Sequence, residues 1–579
     1  MIKAGVKACF VNLGADHASI IEAIAKGKQE RPGRFPTIYT CPSEITAISM
    51  ADGFARVTGR PQAVIAHVDV GTQALAHGIH NACVGRSPVF VFAGLTPFTE
   101  QGELTGSRTE YMHWLQDAPD QKAIVRQYCR YTGDVRTGLN VKQSVGRALQ
   151  FAESDPKGPV YLASARETLA EEIEPYSLSQ EQWKPIGPSA LPAQAVATLS
   201  EALVNAERPL VVTGYSGRNR ACPRELVGLA DRIPGLRVYD TGGSDMCFPM
   251  THRASQGFRL ALDECTKDAD VLLLLDCDVP WIPSRNPPPK TAFIYHVDVD
   301  PLNYMMPVSF FAAHGRWKAD CCTALRQINA HLAENDALQQ TLQEPKYKSR
   351  WDNLARVHRS RVESFERLVN IKGDSTLDIH NIGALLRQTL PRETVYVVEA
   401  VTCSQSLSDQ IMSSIPGSWL NCGGTGIGWS NGAALGVRLA LNTHPEGYDI
   451  IPKIVCQVVG DGSFLCSAPA SAAWVAAKYQ IPVLTIVLNN GGWNAPRASA
   501  ELVYPDGLAA QAKNDDINIS IQPTPNYAAL AAAAADGCGG LLTARPKTVE
   551  EFRQALWSAE KALEEGKGAL IEAIMLARP

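Results

Sequence analysis

Asp461 stands between Gly460 and Gly462, and Asn489-Asn490 follows further along the chain. An ionised carboxylate and a primary amide are both hard oxygen donors. Mg²⁺ takes about six such oxygens near octahedral geometry, several of them usually from phosphate. Asp461 offers a charged oxygen, Asn490 an amide oxygen, and the backbone carbonyl of Gly492 a third. Gly460 and Gly462 leave the backbone free to approach a phosphate closely. The set reads as a magnesium–diphosphate site. The surrounding pattern says what brings these groups together. Residues 454–459 and 482–488 are short apolar runs that read as buried strands, and the Ala-rich stretch from Gly462 to Lys478 reads as a helix between them. Such a βαβ unit places both polar groups at the C-terminal ends of neighbouring parallel strands, the edge at which α/β sheets bind ligands.

Near the other end of the chain, Glu44 opens a segment that runs to Ala51-Asp52-Gly53-Phe54-Ala55-Arg56. This segment resembles the N-terminal motif of the thiamine diphosphate enzymes of the acetolactate synthase, pyruvate oxidase and benzoylformate decarboxylase superfamily. The Gly-Asp-Gly and Asn-Asn pattern resembles the diphosphate signature of the same enzymes. A third stretch, Gly423-Gly424-Thr425-Gly426-Ile427-Gly428-Trp429-Ser430-Asn431-Gly432-Ala433-Ala434-Leu435-Gly436, is similar to another of their segments, with Asn431-Gly432 where the family has Leu-Pro.

The resemblance implies two cofactors, thiamine diphosphate and Mg²⁺. Glu44 would hold N1′ of the aminopyrimidine through a charge-assisted hydrogen bond. The Thr425 carbonyl and the Ile427 N–H would face that ring, with the Ile427 side chain propping the bent cofactor. Gly460, Asp461, Gly462, Ser463 and Asn490 would hold the diphosphate, and Asp461, Asn490 and Gly492 the metal. The resemblance also implies an α/β architecture of three consecutive doubly wound domains with mainly parallel sheets: a pyrimidine-binding domain over 1–175, a central domain over 193–345 and a diphosphate-binding domain over 375–579. In the family the Glu-bearing domain of one subunit faces the diphosphate domain of another, so a homodimer or homotetramer is expected. FAD or ADP in the central domain stays open, because Thr213-Gly214-Tyr215-Ser216-Gly217 is only a loose glycine-containing turn.

Composition agrees with a large globular enzyme. At 579 residues the chain is too long for one core. The 54 basic and 59 acidic residues give a net charge of −5 with no basic run, so nucleic acid is not expected. No apolar stretch is long enough to span a membrane, and the N-terminus lacks the plan of a signal peptide. The 15 cysteines are scattered without metal spacing. They read as reduced core residues of an intracellular, cytoplasmic protein. His77 and His80 share a helix face but lack partner ligands in the pattern, and read as structural.

The reaction depends on a few pocket residues. His67 ends an apolar run, near a position where benzoylformate decarboxylase-like enzymes carry a proton-handling histidine. Gln116 resembles the pocket glutamine of acetolactate synthases and acyl-CoA lyases, with His113 nearby. In Leu13-Gly14-Ala15-Asp16-His17, Ala15 occupies the place where decarboxylases of the pyruvate and benzoylformate types carry an acidic or hydroxyl residue. Asp16 and His17 either replace that group or cap the next helix. After the Asn pair, Trp493 could wall an acceptor site and Arg497 could grip a substrate carboxylate. The leading expectation is an enzyme that decarboxylates a 2-oxo acid and passes the acyl-anion equivalent to a second carbonyl. The alternatives are a simple 2-oxo acid decarboxylase, a 2-hydroxyacyl-CoA or acyloin lyase, and a non-catalytic relative.

Overall fold

Strands buried on both faces are apolar along most of their length, and this chain carries several such runs, including Val395–Glu399, Val455–Gly460 and Val271–Leu275. In the computed structural model, which describes residues 2–306, 308 and 311–576, they form three six-stranded sheets. The expected first and third domains therefore reach beyond the described residues at Met1 and at 577–579.

The first sheet contains β1 (Ala8–Val11), β2 (Thr37–Thr40), β3 (Gln62–Ala66), β4 (Val89–Leu95), β5 (Tyr131–Asp134) and β6 (Val160–Ala165), in the order β2-β1-β3-β4-β6-β5. The second contains β7 (Leu210–Thr213), β8 (Arg237–Asp240), β9 (Ser255–Phe258), β10 (Val271–Leu275), β11 (Phe293–Asp298) and β12 (Gly315–Lys318), in the order β12-β11-β10-β7-β8-β9. The third contains β13 (Val395–Glu399), β14 (Trp419–Asn421), β15 (Val455–Gly460), β16 (Leu484–Asn489), β17 (Leu542–Ala544) and β18 (Ala569–Ile574), in the order β14-β13-β15-β16-β18-β17. All the strand pairings are parallel.

Each sheet has a central point where the winding reverses: between β1 and β3, between β7 and β10, and between β13 and β15. Ligands of open α/β sheets bind in the crevice beyond the strand ends at such a reversal. The first crevice is flanked by Asn12 and His67, and the third by Glu399 and Asp461. Sequence order alone therefore carries the candidate residues to two crevices.

The helix expected from Gly462 to Lys478 is two helices, Asp461–Cys466 and Pro469–Lys478. Pro469 disfavours helical backbone at the residue before it, and Ala468 turns out of the helix at φ +42°.

The first and third domains meet through two helices, Glu44–Thr58 and Trp429–Leu441. Gly53 and Gly436 let the backbones touch. A Cβ on Gly53 would overlap the Ala433 carbonyl, and one on Gly436 the Met50 carbonyl. Gly432 plays the same part, since its Cβ would lie 2.7 Å from the Thr46 carbonyl. The Asn431-Gly432 departure thus sits in this contact. Asn431 Nδ2 donates to the Phe464 carbonyl at 2.9 Å, which ties the helix to the Asp461 turn. Asp52 Oδ2 accepts from Trp429 Nε1 at 2.7 Å. Arg56 is buried and donates to the carbonyls of Asn421 (3.1 Å) and Ser244 (2.5 Å), joining all three domains. Of the Glu44–Arg56 motif, then, the second half is architecture.

Arg86 of the first domain reaches Asp278 at 2.6 Å and Asp298 at 3.0 Å beside the reversal of the second sheet, with its guanidinium over the Tyr215 ring. No helix among the described residues is long and apolar enough to cross a membrane.

Candidate active site

Glu44 is the first residue of its helix, after Ser43 in extended backbone. Its Oε1 accepts from Asn12 Nδ2 at 2.9 Å, which fixes the carboxylate over the β1 end of the first crevice. Gly71 faces the same oxygen. A Cβ there would lie 3.3 Å from Glu44 Oε1 and 3.1 Å from His67 Cβ, so this glycine keeps Glu44 and His67 on either side of one narrow gap.

Next to that gap is a cavity of about 430 Å³ whose wall contains Ala15, Asp16, His67, Glu110, His113 and Gln116. Five residues that the sequence put forward separately therefore share one wall. Asp16 is 3% exposed. Its Oδ2 accepts from the Val68 N–H at 3.0 Å, while Oδ1 has no hydrogen bond and lies 3.6 Å from His67 Nε2. Two glycines make room for the pair. A Cβ on Gly94 would overlap Asp16 Oδ2, and one on Gly14 the His67 ring.

His17 is not in the wall. It is fully buried behind Asp16, with Nδ1 accepting from the Gly14 N–H at 3.1 Å and Nε2 3.4 Å from Asp16 Oδ2. Burial pushes its pKa down, against the pull of Asp16. His113 Nδ1 accepts from the Thr109 N–H at 3.2 Å, and burial together with Arg166 holds its pKa below the ordinary value. The Gln116 carbonyl accepts from Thr96 Oγ1 at 3.2 Å.

The third crevice holds the other half. Asp461 is buried at the end of β15, where its Oδ1 accepts from the Gly462 N–H and its Oδ2 from the Gly491 N–H, each at 2.7 Å. It thereby bridges the Gly-Asp-Gly and Asn-Asn turns. Burial raises its pKa, and those backbone donors oppose the rise. No cationic side chain pairs with it among the described residues. A buried carboxylate of this kind is compensated by a bound cation. The space fits: a Cβ on Gly460 would meet no atom within 4 Å. Asn490 Oδ1 accepts from the Gly492 N–H at 3.3 Å and lies in the same turn. Ser463 is buried in the short helix after Asp461. These residues suit a Mg²⁺–diphosphate, and the described residues hold no competing cluster of three or more His, Cys, Asp or Glu placed for a metal.

The two asparagines divide the work. Asn489 turns inward and donates to Glu572 Oε1 at 2.9 Å, and Glu572 is fully buried and also bound by Arg545. Trp493 packs against the turn, since a Cβ on Gly462 would overlap its ring. Gly462 is thus required by Trp493. Arg497 is 7% exposed and already committed, donating to Asn514 Oδ1 and the Ala512 carbonyl at 2.8 Å each. It braces the loop after the Asn pair and does not point at an open site.

The loop with Thr425 and Ile427 is clamped from both sides. Asn81 exchanges two hydrogen bonds with Gly426 (2.7 and 2.9 Å), and the Thr425 N–H donates to His80 Nε2 at 3.3 Å. His80 and Asn81 thus reach across from the first domain. From below, Glu399 accepts from the Gly428 N–H at 2.6 Å and the Ser430 N–H at 2.9 Å. Burial lifts Glu399 to about 7, with those N–H groups opposing. Sequence reasoning missed Asn12, Asn81 and Glu399. The signal for Glu399 was available: a carboxylate ending an apolar strand, as at Asp461.

Comparison with known proteins agrees with this layout. Residues 1–124 match the thiamine pyrophosphate enzyme N-terminal TPP binding domain, and residues 400–573 match the C-terminal TPP binding domain. The chain is 24% identical to a benzoylformate decarboxylase of Pseudomonas aeruginosa, over 78% of this chain and 79% of that protein. It is also 24% identical to the acetolactate synthase large subunit of Haemophilus influenzae, over 90% and 85% of the two chains. Among solved structures, a thiamine diphosphate-dependent 4-hydroxybenzoylformate decarboxylase of Rhodococcus jostii RHA1 has the same fold, with a TM-score of 0.75, 20% identity and coverage of 99% and 97% of the two chains. The chain belongs to the thiamine pyrophosphate enzyme family.

Proposed function

We propose that this protein is a thiamine diphosphate- and Mg²⁺-dependent lyase that removes CO₂ from a 2-oxo acid and releases an aldehyde, with His67 supplying the final proton. The observation that carries this reading is the Asp16–His67 pair in the wall of the 430 Å³ cavity, one glycine away from Glu44. The sequence tilted toward carboligation partly because Ala15 stands where decarboxylases keep an acidic or hydroxyl group. Asp16 lines that wall, and in this reading it takes the part of the missing acidic group. The relative named benzoylformate decarboxylase supports the same choice.

Bound thiamine diphosphate supplies a carbon nucleophile for the substrate carbonyl and holds the electrons that CO₂ leaves behind. The chain provides the rest. Glu44 holds a proton at the aminopyrimidine N1′, with its angle set by Asn12. Asp461, Asn490 and the Gly492 carbonyl hold the metal, and Gly460 leaves room for the diphosphate. His67, with Asp16 3.6 Å from its Nε2, gives the proton to the substrate carbon; a group placed this way contributes about 10²–10⁴-fold. The Glu399 and Asn81 contacts hold the Ile427 loop, which would face the aminopyrimidine ring. A homodimer is part of the proposal, with the first crevice of one subunit closed by the third domain of another.

A second reading has its own support. Gln116 shares the cavity with His67 and can hydrogen-bond a hydroxyl during attack on a second carbonyl, which is carboligation. Product analysis separates the two. Aldehyde as the main product, turning to acyloin when His67 is replaced by Asn, supports the proton role. Acyloin as the main wild-type product favours Gln116 and the carboligase.

A further inference from the structure

The second domain carries a thiol pair that plays no part in the reaction above. Cys222 and Cys322 stand in the first turns of two helices, Cys222–Arg232 and Cys321–Glu334. Helices on one face of a parallel sheet run the same way, so their first turns meet at the same edge. Here Arg326 Nε donates to Glu225 Oε1 at 3.1 Å, and Asn329 Nδ2 donates to the Glu225 carbonyl at 2.9 Å. These bonds hold the helices side by side with Cys222 level with Cys322. Both thiols are buried in this seam between the two helices. Both line a cavity of about 880 Å³ between the first and second domains, with Arg86 and Lys157 on its wall. Cys321 lines the same cavity, but its Sγ is directed to the Val297 carbonyl at 3.5 Å.

The environment treats the two sulfurs differently. Its neighbour Cys222 lowers the pKa of Cys322, and Arg326 adds to this against the effect of burial. Cys322 in turn, together with burial, pushes Cys222 upward. A sulfur with a lowered pKa beside one with a raised pKa suits an attacking and a resolving cysteine.

We propose that Cys222 and Cys322 form a reversible disulfide in response to a peroxide entering this cavity. Cys322 gives up its proton and its sulfur attacks one peroxide oxygen; the O–O bond breaks, the departing hydroxide takes that proton and leaves as water, and a sulfenic acid remains. Cys222 then attacks the sulfenic sulfur, its proton leaving with the departing hydroxyl as a second water. Two thiols and one hydrogen peroxide thus become one disulfide and two waters, with the sulfurs oxidised and the peroxide reduced. The disulfide would tie the two helices at the cavity rim, next to the Arg86 contact between domains.

The test is peptide mapping of the full-length protein after hydrogen peroxide, alkylation and non-reducing digestion. A Cys222–Cys322 linked peptide, lost on treatment with dithiothreitol, is expected. The link should persist in Cys321→Ser, and Cys222→Ser should leave Cys322 as a sulfenic acid that dimedone labels. Three results would overturn the proposal: both thiols intact while the exposed Cys466 is oxidised, dimedone labelling of Cys322 in the wild type with no link, or a link through Cys321. The wild-type map decides the matter even if a variant folds poorly.

Discussion

His67 Nε2 lies 3.6 Å from Asp16 Oδ1, a buried carboxylate oxygen with no hydrogen-bond partner of its own. The proposed mechanism uses this pair to deliver a proton to the substrate carbon. Asp16→Asn removes the charge and keeps the shape. Aldehyde formation should fall about 10²–10⁴-fold with little change in thermal midpoint. Equal kcat for the Asp16→Asn variant and the wild type would remove Asp16 from the mechanism.

Gly94 offers a separate approach to the same pair. A Cβ at Gly94 would occupy the position of Asp16 Oδ2. Gly94→Ala should therefore impair turnover much as Asp16→Asn does, and add about 1–3 kcal/mol of destabilisation from overpacking. Steady-state kinetics with urea unfolding reads both effects. Full activity in Gly94→Ala would mean that Asp16 need not sit where it does.

The helix contact between the first and third domains predicts a stability effect free of chemistry. Gly436→Ala places a methyl against the Met50 carbonyl and should cost about 1–3 kcal/mol in urea unfolding. Gly187→Ala, where a Cβ meets nothing within 4 Å, should stay within about 0.5 kcal/mol. Similar losses in both would show that the close approach is not what Gly436 provides.

Much of this arrangement could be read from residue order. The apolar runs ending in Asp461 and Asn489, together with the Glu44 motif, located the two crevices, because a parallel sheet puts strand ends on one edge whatever the loops do. Asp461 lies at its strand end as the pattern required. What the sequence did not disclose were contacts made across long separations. Nothing near Asn81 announces Gly426, and nothing near Asp16 announces His67 as a neighbour across β1 and β3. Arg497 looked free because its partners, Asn514 and the Ala512 carbonyl, come from a later loop. The single helix expected after Gly462 failed at Ser467–Ala468, where Pro469 outweighed the alanine content.

Glu399 makes a prediction about pH. Its folded pKa of about 7 lies above the ordinary 4.5, so between these values the folded state keeps a proton that the unfolded chain has lost. The contribution is fully present below about 4.5 and disappears as pH rises through about 7. The wild type should therefore lose stability relative to Glu399→Gln across that window, on the order of 3 kcal/mol, and run parallel to it above. Chemical denaturation at several pH values measures the difference. A gap independent of pH would mean that Glu399 is ionised throughout.

Glu44→Gln should bind thiamine diphosphate and Mg²⁺ with the fold unchanged by circular dichroism, while turnover drops about 10²–10⁴-fold. Undiminished turnover would contradict the role given to its carboxylate.

The most direct measurement is CO₂ release from a panel of 2-oxo acids by the purified protein, with and without thiamine diphosphate and Mg²⁺, and with aldehyde product followed in the same samples. The account predicts release that requires both cofactors, yields one aldehyde per CO₂ and does not need an added carbonyl acceptor. Release that appears only with an acceptor, or no release from any acid with both cofactors present, would contradict it.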